Sequence, residues 1–522
     1  MNEVDLRADE GLQKLGYEQQ MKRSRNVWHI LFMTLAIMAV PFGLSTPIAT
    51  SLVAGGPAVI FWGFILVSVL TLTTALSLAE IIAKYPTSAG AYYWCFQLAS
   101  PRYRLLLSWI NGWLTLVGDW TVSLSVCFGT AQLLVAGIGI FHPDWVATAW
   151  QTYLIFMGIT LVATAIGIFF NRALPALDVL FAIWLVLVML DSLIPRDLGG
   201  HQAGHSLLAY YRLVRIANVV MRVYERLMFN SRSAYTYSAI CMISSMAEEV
   251  HNPTVDLPRA MAWQVPIGML SGIFFLLPIL FTLPDIETLL EVPGGQPLGV
   301  MYTLIMGTRG GGFGMWFIIF GVGIFCAISI SCAASRATWA FARDKALPFH
   351  RAFSHVHSSG TPLNAYLLST TIQLLLGLIY LGSSTAFNAF VGVAVICLGA
   401  SNGMTILISL MNGRKDMVDS PFPLGKWGVP LNTIAVLWVM FEIVLFCMPA
   451  VVPVTRVTMN YASVVFVGFG VISAGWYLIS GRYHYAGPPQ PFFDEPGPVK
   501  EGVNSLSDDS GLEEKTKNQK SS

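Results

Sequence analysis

Long apolar runs separated by short polar clusters follow one another from about residue 28 to residue 480. A run of about 18 residues or more can cross a hydrocarbon core of ~30 Å as a helix. By that measure the chain predicts spans at about 28–52, 58–82, 106–139, 151–170, 174–194, 218–246, 262–283, 312–341, 363–382, 385–410, 431–451 and 460–480. The sixth is the poorest, since no uninterrupted apolar run covers its first half. Twelve spans make an all-α membrane protein and place both termini on one side. The chain then divides into an N-terminal tail (1–27), spans one to five (28–194), an Arg-rich segment (195–233), spans six to ten (234–410), two last spans (411–482) and a C-terminal tail (483–522).

The polar clusters choose the side. Lys22, Arg23 and Arg25 precede the first span; Lys84, Arg102 and Arg104 follow the second; Arg172 follows the fourth. Arg336, Arg343, Lys345 and Arg351 lie at or after the end of the eighth, and Arg414, Lys415 and Lys426 follow the tenth. The opposite loops carry Asp144, Asp285, Glu287 and Glu291, with Arg309 and Arg456 as minor exceptions. Basic loops face the cytoplasm, so both termini are expected there. The tail from about 483 is rich in Pro, Ser and charge and is expected to be disordered. The first 27 residues are polar and the first apolar run is too long for a cleavable signal peptide.

Composition agrees. The 522 residues are 55% hydrophobic and 11% charged, against roughly 25% charged in soluble domains, with a mean hydropathy of +0.63. A net charge of +1 gives nucleic acid no basic surface to bind. The seven cysteines stand singly in apolar runs with no CxxC, which reads as helix packing rather than a disulfide framework or a metal site. There is no GxxxxGK[ST], GxSxG or His/Cys ligand spacing. An enzyme, a cofactor and a metal are therefore not expected.

One segment breaks the pattern. Arg196, Arg212, Arg215, Arg222, Arg226 and Arg232 fall where the chain should re-enter the membrane. Each charge at mid-bilayer costs at least ~2.5–3.5 kcal/mol on insertion scales. Two readings account for it: an amphipathic helix on the membrane surface, or an altered stretch such as a shifted frame or misplaced splice junction. The composition favours the second.

Candidate chemistry sits at a few points. Pro41-Phe42-Gly43 lies near the middle of the first span. Proline removes a ladder donor, and unwound backbone at membrane depth is tolerated only where it faces protein or a watery cavity. Such breaks bind substrates and ions in transporters; a simple kink is the alternative. Five spans on, Tyr235-Thr236-Tyr237-Ser238-Ala239-Ile240 is small and polar but lacks Gly and Pro. Carboxyls deep inside apolar spans are few; two stand out, Asp119 in the third, a candidate cation or proton site, and Glu442 in the eleventh. For each the alternative is an interhelical hydrogen bond. Glu80, Glu248, Glu249, Arg259, Arg336 and Arg343 gather at the expected inner mouth as a gate or as interfacial anchors.

Taken in order, Pro41–Leu44 with Pro47–Leu52, Gly55-Gly56-Pro57, Ser77–Ile81 with Tyr85–Tyr93, Ser108–Trp113, Glu248–Arg259, Ser335-Arg336 and Phe341–Asp344 with Leu347-Pro348-Phe349 form a specific series. In it the chain resembles fungal members of the amino acid–polyamine–organocation superfamily, the amino acid/choline transporters that include GABA and choline permeases. The resemblance spans about 28–480. It implies a five-plus-five inverted repeat with helices 1 and 6 broken and helices 11 and 12 outside the core. It also implies cation-coupled secondary active uptake, with substrate held between the backbone of Ala39, Val40, Pro41, Phe42 and Gly43 and the stretch holding Tyr235, Thr236 and Ser238. Asp119 joins that site as a candidate.

The chain departs from the family in two places. Many relatives carry an Asp in the helix 6 break, where Ile240-Cys241-Met242-Ile243 stands here, and their outer half of helix 6 is apolar where this chain is Arg-rich. The reading is a permease of a small nitrogenous metabolite such as an amino acid, GABA, choline or a related amine. Its expected partners are that substrate, a coupling proton or sodium ion, and membrane lipid. The expected location is the plasma membrane, with vacuolar or other endomembranes as alternatives. A non-transporting nutrient sensor, an amine exporter and an inactive copy are the competing functions.

Overall fold

Apolar runs with no surrounding polar surface leave backbone groups nothing to bond but each other, which in a membrane selects helices. The computed structural model describes residues 3–46, 48–192, 234–284, 289, 292, 296–357, 360–382, 384–448 and 459–490. Among them are eleven helical stretches long and apolar enough to cross a membrane. The expected sixth span and the Arg-rich segment fall mostly outside the described residues, which resume at Ala234.

The N-terminal helix α1 (Glu3–Lys14) precedes a first span made of α2 (Val27–Met38) and α3 (Val40–Ser45). There follow α4 (Ile48–Lys84), α5 (Ala91–Leu98), α6 (Arg104–Phe141), α7 (Ala149–Phe169) and α8 (Leu174–Ser192). After the non-helical turns of 236–241, the run Met242–Glu249 is a 3-10 helix. The remaining elements are α9 (Pro253–Phe281), α10 (Leu298–Met306), α11 (Arg309–Arg343), α12 (Leu363–Gly377), α13 (Ser384–Met411), α14 (Gly428–Cys447) and α15 (Ala462–Trp476).

Three expectations are corrected. The first span ends at Ser45 rather than 52: Ser45 and Thr46 turn their hydroxyls onto the carbonyls of Pro41 and Phe42 (2.6 and 2.9 Å), and Pro47 cannot extend the ladder. Gly55-Gly56-Pro57 is therefore no loop but lies inside α4. The N-terminal segment is not a free tail, and the C-terminal one does not begin at 483. Tyr485 is buried, its hydroxyl 2.8 Å from that of Ser108, and its ring packs edge-on against Trp109. The apolar pattern missed α5 and α10 because both are too short to span.

The packing has an order. α4 lies on α9, α6 on α11 and α7 on α12. α6 meets α13 as α11 meets α8, and α11 meets α7 as α6 meets α12. Each of these pairs maps onto itself or onto another when spans one to five are exchanged with six to ten. α14 rests on α13 and α4, and α15 chiefly on α13, outside that pattern.

Candidate functional site

The first break is set by proline. A helical Pro41 would have to donate to the carbonyl of Ile37, four residues back, and cannot. The chain instead turns at Ala39, which adopts the left-handed conformation (φ 41°, ψ 52°) and ends α2 by donating its N–H to Leu35. Positive φ is unusual for a residue with a side chain. The Ile37 carbonyl is taken by the Cys326 thiol of α11 at 3.3 Å. The break thus lies just before the predicted Pro41-Phe42-Gly43, with Val40 opening the second half and the Gly43 N–H bonded to Ala39 at 3.0 Å. Phe42 fills space that Gly129 and Gly323 leave open, where added Cβ atoms would meet its ring at 3.3 and 2.9 Å.

The second break follows from hydroxyls. Ser238 bonds the Tyr235 carbonyl (2.8 Å), and Ser245 those of Met242 (2.8 Å) and Ala333 (3.1 Å), so side chains compete with the helical ladder. The two tyrosines reach sideways: Tyr235 to Ser125 of α6 (2.6 Å) and Tyr237 to Ser68 of α4 (2.8 Å), with Tyr237 stacked on Phe64. Thr236 faces the first break. A Cβ on Gly43 would stand 2.7 Å from its Oγ1, a buried atom without a hydrogen-bond partner among the described residues. The structure therefore brings the predicted Ala39–Gly43 and Tyr235–Ser238 together.

Asp119 lies elsewhere. It is buried on α6, six residues before Ser125, hence ~9 Å along the helix from the Tyr235 contact. It lines a separate cavity bounded by the loop at Ser88–Gly90, by Cys241 and Ser244, and by Phe341 and Ser401. Asp119 thus meets the inner part of the second break, at Cys241, rather than the contact of Gly43 with Thr236. Glu442 is buried on α14, away from both breaks, beside Gly399 of α13.

At the end of the bundle expected to face the cytoplasm, the charges form a network of buried ions. Glu249 accepts from Arg336 Nε at 2.9 Å and from Arg25 Nε at 3.3 Å, and Arg25 also reaches Asp178 of α8 at 2.6 Å. Glu248 holds Arg343 at 2.9 Å, whose guanidinium lies 4.0 Å from the Tyr17 ring centroid and 4.4 Å from that of Trp339. Burial alone would raise the Glu249 carboxyl, but Arg336 and Arg25 outweigh it and hold it below its ordinary range. The backbone joins in: Ser24 and Arg25 donate to the Glu249 carbonyl, and His251 donates back to Arg25. The N-terminal stretch Tyr17–Arg25 is thereby laced across the mouth.

Two of the expected members do not pair with the others among the described residues. Arg259 is exposed and forms no salt bridge among the described residues, because α9 turns it outward one helical turn after Val255. Glu80 stands apart, tied to Arg414 at 2.6 Å and to the Leu424 N–H at 2.9 Å. Arg25, Asp178 and Arg414 were the missing partners; Arg25 and Arg414 looked like ordinary membrane-flanking basic residues, and Asp178 was not singled out. Among the described residues no three His, Cys, Asp or Glu converge as metal ligands.

A family model described as Amino acid permease matches residues 26–469. The chain is 31% identical to an amino-acid permease of Arabidopsis thaliana over 91% of this chain and 95% of that one. It is 29% identical to a polyamine transporter of Saccharomyces cerevisiae, covering 94% and 80% respectively. It is also 26% identical to a choline transporter of the same yeast, covering 93% and 88%.

Proposed function

This chain belongs to the amino acid permease family, and we propose that it is a secondary active permease of a small nitrogenous metabolite bound between its two broken helices. The contact of Gly43 with Thr236 carries the reading: two interrupted helices meet inside the bundle, at positions five spans apart. Backbone groups released from helical ladders there offer a carboxylate or an amine their hydrogen bonds. The exchange pattern of helix packing supports a five-plus-five inverted repeat, with α14 and α15 outside it. Alternating access then consists of opening the Arg25–Glu249–Arg336 network inward after the outer path has closed.

Substrate class follows from charge. Relatives are named for amino acids, polyamines and choline. A polyvalent cation requires several carboxylates, and the breaks carry none among the described residues. We therefore favour a zwitterion or a single-charged amine over a polyamine, with a coupling cation and the plasma membrane as its place. Uptake of radiolabelled GABA, choline, neutral amino acids and spermidine by permease-deficient cells tests this. Saturable uptake of one of the first three is expected; spermidine alone would overturn the substrate class. A second reading, a chain unable to transport, is favoured by the six arginines of 195–233, and uptake of none of the four would support it.

A further inference from the structure

We propose that Asp119 is the proton-carrying site of this permease, enclosed in a cavity whose cytoplasmic wall is the inner gate. The proposal rests on the transport reading and names its coupling ion.

The cavity measures about 20 Å³, room for one water, which needs ~10–15 Å³. Asp119 is 1% exposed, and its Oδ1 has no hydrogen-bond partner among the described residues. Three of the neighbouring hydroxyls have committed their hydrogens elsewhere, while Ser88 and Ser244, which accept from the Glu248 N–H and the Cys241 thiol, keep theirs. Ser245 donates to the Met242 and Ala333 carbonyls, Thr115 to that of Asn111, and Ser401 to Asn111 Oδ1. An ionised carboxylate would therefore have neutral donors alone and no countercharge, a costly state for a buried group, whereas a carboxylic acid is neutral and gives its own hydrogen to the remaining lone pairs.

The other titratable groups at the cavity are Cys241, from the second break, and Tyr92, from α5. The Tyr92 hydroxyl is turned to Asp344 at 2.8 Å. No Lys, Arg or His is among the lining residues, so no cationic side chain neutralises the acid. Much of the wall is carbon from Leu116, Met242, Ala337, Phe341 and Leu398, and a metal ion would have to draw on Asp119 together with the hydroxyl oxygens of Ser88, Ser244 and Thr115, an occupancy that the dependence of uptake on a sodium gradient separates from a proton. The proton is the cation that needs one oxygen rather than several.

The wall and the gate are the same chain. Ser88 accepts the Glu248 backbone N–H at 3.4 Å, and Glu248 is the residue that holds Arg343. Ser244 and Ser245, which line the cavity, lie in the 3-10 run that ends at Glu249. Opening the gate separates Ser88 from Glu248 and admits cytoplasmic water. Asp119 then breaks its O–H bond and gives the proton to that water, and the carboxylate is reprotonated once the cavity faces outward.

The full chain, purified and reconstituted in liposomes, tests this without a known substrate. Infrared difference spectra should show the carbonyl stretch of a protonated buried acid at neutral pH. That band should vanish in Asp119→Asn and persist, shifted, in Asp119→Glu; Glu442→Gln should remove only a separate component. An unchanged band in Asp119→Asn, or none in the wild type, overturns the assignment. With a pH-sensitive dye outside the liposomes, GABA or choline should drive proton entry in the wild type. Asp119→Asn should lose it while keeping substrate counterflow. Wild-type uptake that follows a sodium gradient and ignores pH would also overturn it. If neither probe moves, the transport reading is challenged, and the infrared result still decides Asp119.

Discussion

Arg25 binds Glu249 twice, through its backbone N–H to the Glu249 carbonyl at 3.1 Å and through Nε to Oε2 at 3.3 Å. The pair joins the entry of the first broken helix to the end of the second, 224 residues away. A contact made by backbone and side chain together fixes both distance and orientation. When it parts, both broken helices are free at their inner ends at once.

Removing one member of this network leaves its partners as buried, unpaired charges, a loss of about 3–5 kcal/mol. Arg25→Met strands Asp178 and Glu249 together. Thermal unfolding in detergent should therefore fall further for Arg25→Met than for Arg23→Met, whose partner Asp9 is partly exposed. Equal losses would remove Arg25 from the gate.

Glu249→Gln keeps the shape but weakens the hold on both arginines. The gate should then open more often. Cys332, whose carbonyl accepts from Arg336, is buried in the closed form. In a variant keeping Cys332 as its one cysteine, maleimide labelling should quicken by about tenfold, the factor that ~1.4 kcal/mol gives. Unchanged labelling would mean that the network is structural only.

The gate also has a definite pH dependence. Because Arg336 and Arg25 hold the Glu249 carboxyl below its ordinary range, its stabilising effect is full above the unfolded glutamate value of about 4.3. It is lost only as pH falls through the lower folded value. In the variant with Cys332 as its one cysteine, labelling divided by that of the same protein unfolded at each pH, which removes the thiol's own titration, should thus show no loosening through Glu249 from neutral to mildly acid pH, while any dependence of uptake in that window comes from elsewhere. A gate that loosens at mildly acid pH contradicts this.

Arg259 and Arg414 offer a contrast that sequence position does not. Arg259→Ala should change stability by no more than about 0.5 kcal/mol, as exposed sites do. Arg414→Ala strands the buried Glu80 and should cost several times as much. Size-exclusion profiles after heating would rank the two, and the reverse order would refute the pairing.

How far the sequence reaches is visible in these same residues. Span positions were legible because each apolar run carries its own length. The first break was legible because Pro41 acts within one turn, though its locus moved to Ala39, where the chain relaxes just before the ring. The second break hides in hydroxyls that resemble ordinary small packing residues. Charges at the mouth could be counted, but not paired: Arg25 finds Glu249 and Asp178 only after three distant segments assemble. For the same reason Arg259 was grouped with residues it does not pair with among the described residues.

The central claim is that substrate lies where Gly43 meets Thr236. A Cβ on Gly43 would stand 2.7 Å from Thr236 Oγ1, and overpacking of this kind costs about 1–3 kcal/mol. Gly43→Ala should lower uptake, and adding Thr236→Ala should restore part of it. Gly43→Leu should reduce radiolabelled uptake to background while its level in the membrane matches the wild type. Wild-type affinity and rate in Gly43→Leu would contradict the account, because the substrate would then lie elsewhere.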